Sequence, residues 1–251
     1  MANKSMAKKR NGSRNSLIDA AAALRDEVDV LSFSEPVTHV YNPLQYAWRS
    51  HQTYLNLAND KGVRVVLLGM NPGPWGMAQT GVPFGEINAV RDWMGIDVPV
   101  DHPSPEHPKR PVQGFACEKS EVSGRRLWGL FQQKYPKSKD FFKNHFVTNY
   151  CPLVFMEESA RNRTPDKLAA SEREKLTEIC DRHLSRLLEI LKPQYAVGVG
   201  AYAENCLKRV IENGNVEISL SRILHPSPAS PAANKDWSGT ATKQLKSAGI
   251  W

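Results

Sequence analysis

Three polar residues stand where chemistry could be done. Asn71 lies in Gly69-Met70-Asn71-Pro72-Gly73-Pro74-Trp75-Gly76-Met77, Asn149 in Thr148-Asn149-Tyr150, and His225 in His225-Pro226-Ser227-Pro228. Prolines and glycines pin the backbone around Asn71, whose amide could orient a water or a substrate edge; the same residues also spell a plain Asn-Pro-Gly turn. Asn149 offers one acceptor and two donors, which suits reading the edge of a planar base, although an Asx turn uses the same residue. The tetrapeptide at His225 recurs at His102-Pro103-Ser104-Pro105, so context must choose between the two. His225 directly follows the run Ile218–Leu224, whereas His102 sits among prolines and charges with no strand before it. His225 is therefore read as the working imidazole and His102 as a loop residue.

Other chemistries are not written here. Neither G-x-S-x-G nor a P-loop occurs, and Gly198-x-Gly200 lacks the third glycine of a dinucleotide fingerprint, since position 203 is Ala. Cys117, Cys151, Cys180 and Cys206 form no C-x-x-C pair and are too sparse for a disulfide scaffold. They read as buried or incidental thiols of an intracellular protein, nuclear in a eukaryote or cytoplasmic and nucleoid-associated in a bacterium. No metal and no cofactor are expected.

The elements that must position these residues alternate. Val63–Leu68, Phe146–Thr148, Tyr195–Gly200 and Val216–Leu224 read as strands; Leu17–Leu31, Leu168–Leu191, Ala201–Ile211 and Lys235–Ala248 read as helices. Such alternation predicts an α/β fold, one domain with a central parallel β-sheet flanked by helices. Ligands of such sheets bind beyond the carboxyl ends of the strands, where Asn71, Asn149 and His225 all fall. The aromatic stretch Tyr41–Leu57 is expected to cap the core. With 251 residues, 41% hydrophobic and 24% charged, collagen-like and disordered classes are excluded, and no run approaches the ~20 apolar residues of a membrane span.

The formal charge of +7 is unevenly spread. Residues 1–14 hold Lys4, Lys8, Lys9, Arg10 and Arg14 without an acid, and residues 102–145 hold 9 basic against 4 acidic side chains. Residues 1–15 read as a disordered basic tail ahead of a catalytic domain over 16–251. The bland reading of such a run is solvated surface; the other is a polyanion partner.

Four segments carry a family resemblance: GMNPGPWGMAQTGVPFGEINAVRDWMGI (69–96), EHPKRPVQGFACEKSEVSGRRLWG (106–129), FVTNYCPLVF (146–155) and LHPSPASPAANKDW (224–237). In this order the chain resembles the single-strand-selective monofunctional branch of the uracil-DNA glycosylase superfamily, from residue 32 to the C-terminus. The resemblance implies a hydrolase that flips uracil out of single- or double-stranded DNA and cuts its N-glycosidic bond. It also implies 5-hydroxymethyluracil as a further substrate, no lyase step, and a monomer with no membrane association.

The same resemblance distributes roles. Phe84 would stack on the base, Asn149 would pair with its O4/N3 edge, and the backbone near Met70 would hold the carbonyl face. Met77 lines the pocket, and Gly73 leaves room at C5. His225 would stabilise the departing anion through O2, and Asn71 would position the water. Ser227, Pro228, Ala229, Ser230 and Lys235 correspond to the wedge that enters the duplex. A family member has Arg at the position of Ala229, so a weaker wedge is implied; Trp75 replaces a familiar Phe. Arg161 and Arg163, before a helix start at Thr164-Pro165-Asp166, match a DNA-contact region, and Lys109, Arg110, Arg125 and Arg126 are candidate phosphate contacts. A different base preference (mismatched thymine, xanthine or hypoxanthine) and a non-catalytic DNA-binding module remain as alternatives.

If residues 1–14 act only as an electrostatic tether, their deletion lowers the slope of log K against log[salt] for DNA binding by ~0.7–0.9 for each phosphate they neutralise. Base choice stays the same. A changed base preference in the truncated protein would rule the tether out.

Overall fold

The computed structural model describes residues 2–59, 61–214 and 216–251, with side chains from residue 16 onward. The basic tail expected over residues 1–15 lies outside those side chains. Helix α1 (Ala2–Asp29) packs its described half through Leu17, Ala21, Leu24 and Val28, spaced three or four apart along one buried stripe. Strand β1 (His39–Tyr41) and the short helices α2 (Pro43–Tyr46) and α3 (Trp48–Leu55) follow, with Asn42 capping α2 through the Leu44 N–H. The aromatic stretch does reach the core. Tyr54 is fully buried and donates its hydroxyl to the Val147 carbonyl at 2.7 Å.

Strand β2 (Val65–Gly69) is buried at every position, as a central strand covered on both faces must be. The loop after it carries α4 (Met77–Thr80), and a long connection leads to α5 (Val122–Lys134), α6 (Ser138–Phe142) and β3 (His145–Asn149). Short strands β4 (Val154–Met156) and β5 (Asn162–Arg163) precede α7 (Ala170–Leu191). The chain ends through β6 (Tyr195–Val199), α8 (Ala201–Gly214), β7 (Ser219–Ile223) and α9 (Pro231–Ser247). Strand order in the main sheet is β3-β2-β6-β7, all parallel, which is the α/β architecture expected. On one side lies an aromatic core including Trp128, Phe131, Phe141 and Phe146; on the other, α1, α7 and α8 pack through leucines and small residues.

Several local expectations shift. A second, antiparallel sheet of order β1-β4-β5 joins strands of two or three residues, too short to show any periodicity. The helix start read at Thr164 is a separate 3-10 turn, Pro165–Lys167, because Leu168 and Ala169 return to extended backbone before α7 begins. In α7 the buried stripe runs through Cys180, with Ile179 at its rim. All four cysteines are free and buried. Helix α9 starts at Pro231 and breaks at Asp236, whose φ is −160° and whose carboxylate caps the Gly239 N–H at 2.8 Å. Among the described residues no helix is long and apolar enough to cross a membrane.

Two buried histidines make the fold acid-sensitive. His51 and His145 each place Nδ1 against a backbone carbonyl, Gly81 at 2.8 Å and Phe141 at 3.2 Å, and burial pushes both pKa values down to about 4. The unfolded chain binds their protons near pH 6.5 and the folded chain only near 4. Stability is therefore unaffected above pH ~6.5 and falls as pH drops from there toward 4, by up to ~3 kcal/mol per group. Urea denaturation between pH 7.5 and 4.5 checks this, and His51→Gln should flatten the acid limb.

Candidate active site

The register of the main sheet brings its carboxyl ends level: Gly69 pairs with Asn149, Leu68 with Gly198 and Val199 with Ile223. A cavity of about 230 Å³ opens beyond them. It collects Met70, Asn71, Gly73, Met77, Phe84, Asn149, His225 and Ser227 from the residues named on sequence. His102 is elsewhere, exposed and 3.3 Å from Glu106.

Each polar group in the cavity is aimed by a neighbour. Asn71 donates its amide nitrogen to the Leu153 carbonyl at 3.2 Å, which commits its donor side to the protein and leaves Oδ1 as an acceptor. Asn149 is 7% exposed and donates Nδ2 to the Met77 sulfur at 3.4 Å, while its Oδ1 has no partner among the described residues. A buried carbonyl left unpaired in this way has a free energy cost of about 1–3 kcal/mol unless a ligand or water meets it. Beneath both Asn149 and Phe84 lies Gly69. A Cβ there would overlap the Asn149 oxygen and come within 2.6 Å of the Phe84 ring.

Phe84 sits at φ +53°, in the left-handed region that a phenylalanine rarely adopts. Packing holds it there. Its carbonyl presses on Gly124 of α5, where any side chain would overlap it, and Trp128 donates Nε1–H to the adjacent Pro83 carbonyl at 3.3 Å. The Phe84 ring centroid stands 6.5 Å from that of His225.

His225 is held in one tautomer. The Ser227 N–H donates to Nδ1 at 3.1 Å, so the ring proton of the neutral imidazole resides on Nε2. Burial lowers the pKa, which keeps the ring neutral near pH 7. Leu224, one residue earlier, is gripped by α9: Trp237 donates to its carbonyl at 2.7 Å and Gln244 accepts from its N–H at 2.8 Å. Gly200 follows β6 at φ +92°, and a Cβ on it would stand 3.1 Å from that of His225. The two glycines that mimic a dinucleotide motif thus serve close packing: Gly198 admits the backbone of Glu204 in α8, and Gly200 admits the imidazole.

Sequence reasoning missed Glu121, Ser123, Asn162 and Thr164, which also line the cavity. Glu121 caps α5 through the Ser123 N–H, and burial raises its pKa. Asn162 carries a buried Oδ1 without a partner among the described residues. Charge singles out Arg161 and Arg163 in the sequence and passes over the neutral residues between and after them. Among the described residues no group of His, Cys, Asp or Glu is arranged to hold a metal ion.

The Uracil DNA glycosylase superfamily model matches residues 56–246. The chain belongs to the uracil-DNA glycosylase superfamily. It is 47% identical over 227 residues to the single-strand selective monofunctional uracil DNA glycosylase of Mus musculus, covering 90% of this chain and 81% of that protein. The Rattus norvegicus protein of the same name is 48% identical, covering 90% of this chain and 82% of its own length. A crystal structure of Pedobacter heparinus SMUG2 superposes with a TM-score of 0.64 at 15% identity, over 92% of this chain and 99% of that one, and supports the fold. As a member of this superfamily the chain is a glycosylase acting on DNA.

Around the glycosylase pocket, the candidate DNA contacts divide. Pro228 and Ala229 are exposed on the loop leading into α9 and Lys235 is exposed within that helix, which Ser230 caps through the Ala233 N–H. Lys109, Arg125 and Arg161 are exposed as well. Other arginines are engaged within the chain. Arg163 bonds Glu157 and the Lys167 carbonyl, both at 2.7 Å, and so ties β5 to the following turn. Arg110 lies 4.9 Å over the Trp75 ring and donates to the Ala160 carbonyl. Arg126 is a structural clamp: it donates to the Pro226 and Ser227 carbonyls and to Asn234.

A Cβ on Gly200 would crowd the imidazole, and φ +92° is strained for alanine, so Gly200→Ala should push His225 out of line. Single-turnover excision should fall, by up to about 100-fold if the shift reaches ~1 Å. Thermal unfolding of the same variant separates this loss from one of stability.

Proposed function

We propose that this chain removes uracil, and 5-hydroxymethyluracil with it, from single- and double-stranded DNA by flipping the base into the pocket and hydrolysing its glycosidic bond without a lyase step. The observation that carries the reading is the placing of two neutral groups on one cavity, the Asn149 oxygen, unpartnered among the described residues, and the imidazole of His225 with its proton on Nε2. A uracil edge presents N3–H to the first and O2 to the second. Cytosine lacks a proton at N3 and would leave the Asn149 carbonyl unpaired.

Reaction begins with the flipped base stacked on Phe84. Flipping costs a few kcal/mol of unstacking in a duplex and less in a single strand. The bond between C1′ and N1 breaks, leaving the electron pair on uracil and positive character on the sugar. His225 donates Nε2–H to the O2 that gains negative charge; such preorganised donors are worth ~3–4 kcal/mol. A water oriented by the Asn71 carbonyl adds to C1′ and loses its proton to solvent, completing an abasic site. Asn71 cannot accept that proton as a carboxylate would, so leaving-group stabilisation dominates. Among the described residues no lysine lines the cavity to offer an amine for a Schiff base with the sugar.

Excision is tested on single-stranded oligonucleotides carrying uracil, 5-hydroxymethyluracil, hypoxanthine or thymine, followed by alkaline cleavage of abasic sites. Wild type should cut the first two; Asn71→Ala and His225→Leu should each be slower by about 100-fold or more. Product from hypoxanthine alone would favour a different base preference, and no product from any oligonucleotide would favour a binding module. Duplex substrates should be cut less efficiently than single strands, because Ala229 offers only a methyl group as a wedge.

A further inference from the structure

Trp75 is a large aromatic side chain beside the pocket that neither the core nor the reaction above uses. It stands in the turn whose glycines, Gly73 and Gly76, line the cavity. Among the described residues it is half-buried, joins none of the hydrophobic clusters, and its Nε1–H has no hydrogen-bond partner. What it does touch is Arg110, whose guanidinium carbon lies 4.9 Å over the ring.

Two segments far apart in the chain are tied together to make this pair. Gln79, 1% exposed, donates Nε2 to the Pro74 carbonyl at 3.1 Å and to the Pro111 carbonyl at 3.0 Å, and its Oε1 accepts from the Gln113 N–H at 2.8 Å. One buried amide thus grips the residue before Trp75 and the residue after Arg110. Arg110 is fixed at both ends as well: its carbonyl accepts from the Tyr41 hydroxyl at 2.9 Å, and its Nε donates to the Ala160 carbonyl at 3.3 Å. Ala160 leads into Asn162 and Thr164, which line the cavity. The stacked pair therefore joins two segments that border the pocket, and its geometry is set before any ligand arrives. Lys109 and Arg161, each one residue from an anchor of the pair, are exposed.

We propose that Trp75 and Arg110 form a stacking subsite for the base of the nucleotide next to the flipped one in single-stranded DNA. This rests on the reading of uracil excision from single strands given above. Every base has a π face, and an indole or a guanidinium plane receives it without regard to sequence. The cation in the stack adds its attraction for aromatic faces, and Lys109 and Arg161 stand ready for the phosphates that accompany the base. In a duplex the neighbouring base is held by its own stack and pair. In a single strand it is free to turn onto the platform. The subsite thus favours single strands through a contact that reads no sequence.

The test uses single-stranded oligonucleotides with one uracil, in which the nucleotide on its 5′ or its 3′ side is replaced by a base-less tetrahydrofuran analogue. The half-saturating concentration for single-turnover excision is measured for wild type, Trp75→Ala and Trp75→Phe. For wild type, loss of the base on one side should raise that concentration by about 10-fold, and loss on the other side by much less. Trp75→Ala should show the rise already on the intact strand and gain less than about 2-fold more when the base is removed, because the variant and the base-less strand delete the same contact. Trp75→Phe keeps an aromatic face and should stay within about 3-fold of wild type on the intact strand. Wild type indifferent to the neighbouring base on both sides overturns the subsite. So does a Trp75→Ala variant that remains as sensitive to base removal as wild type, which would leave Trp75 a purely structural part. No excision from the intact strand by wild type overturns the uracil reading itself and this inference with it.

Discussion

The pocket depends on backbones approaching more closely than side chains would allow. Four parallel strands end level, and groups from different strands must then meet within the width of one planar ring. Gly69 permits Asn149 and Phe84 to lie over β2, Gly200 permits His225 to lie against the end of β6, and Gly124 permits the Phe84 carbonyl to rest on α5. Any Cβ at the first or third of these positions would overlap a neighbour. The left-handed backbone of Phe84, worth roughly 1–3 kcal/mol of strain, persists because α5 and the Trp128 bond over-determine it.

Electrostatics are divided between the pocket and its surroundings. Among the described residues the cavity lining has no lysine or arginine, and burial lowers the pKa of its imidazole. A lining without cations suits an uncharged base. In the proposed reaction it would also let a donor such as His225 Nε2–H act strongly on charge that develops only during bond breaking. Lys109, Arg125, Arg161 and Lys235 are exposed, and in the proposed function they are the cations free to attract a polyanion. Arg126 and Arg163 look the same in a charge count but are engaged by internal carbonyls and carboxylates.

That difference shows what can be read from residue types alone. The parallel sheet was legible because its strands are β-branched runs long enough to carry a pattern, and the three strand-end residues followed from the sheet. Choosing His225 over His102 required only the strand that precedes it. The antiparallel sheet was not legible, since two- and three-residue strands hold no period, and α5 was hidden by glycines and arginines that lower its apolar signal. Glu121 escaped notice for a different reason. Its neighbours at Gly73 and Gly76 are about 50 residues away in the chain, and an acidic residue within a basic segment reads as surface until the fold buries it.

The first turns of α5 concentrate these dependencies. Glu121 caps the helix and faces the Gly73–Gly76 turn; Gly124, one turn on, supports Phe84; Arg126 clamps the Pro226–Ser227 backbone. Ser227 in turn donates the N–H that sets the His225 tautomer. One short stretch of helix thus positions the Phe84 backbone, the wall at Gly73–Gly76 and, through the loop, the ring proton of His225, the groups to which the proposed reaction gives its base-binding and leaving-group roles. Substitutions at these positions share partners within a few ångströms, so their effects on excision should not be treated as independent increments. The loop that Arg126 clamps also carries Pro228 and Ala229, so in the proposed function the helix that holds the pocket's walls would also set where a wedge on that loop stands relative to the base it would replace.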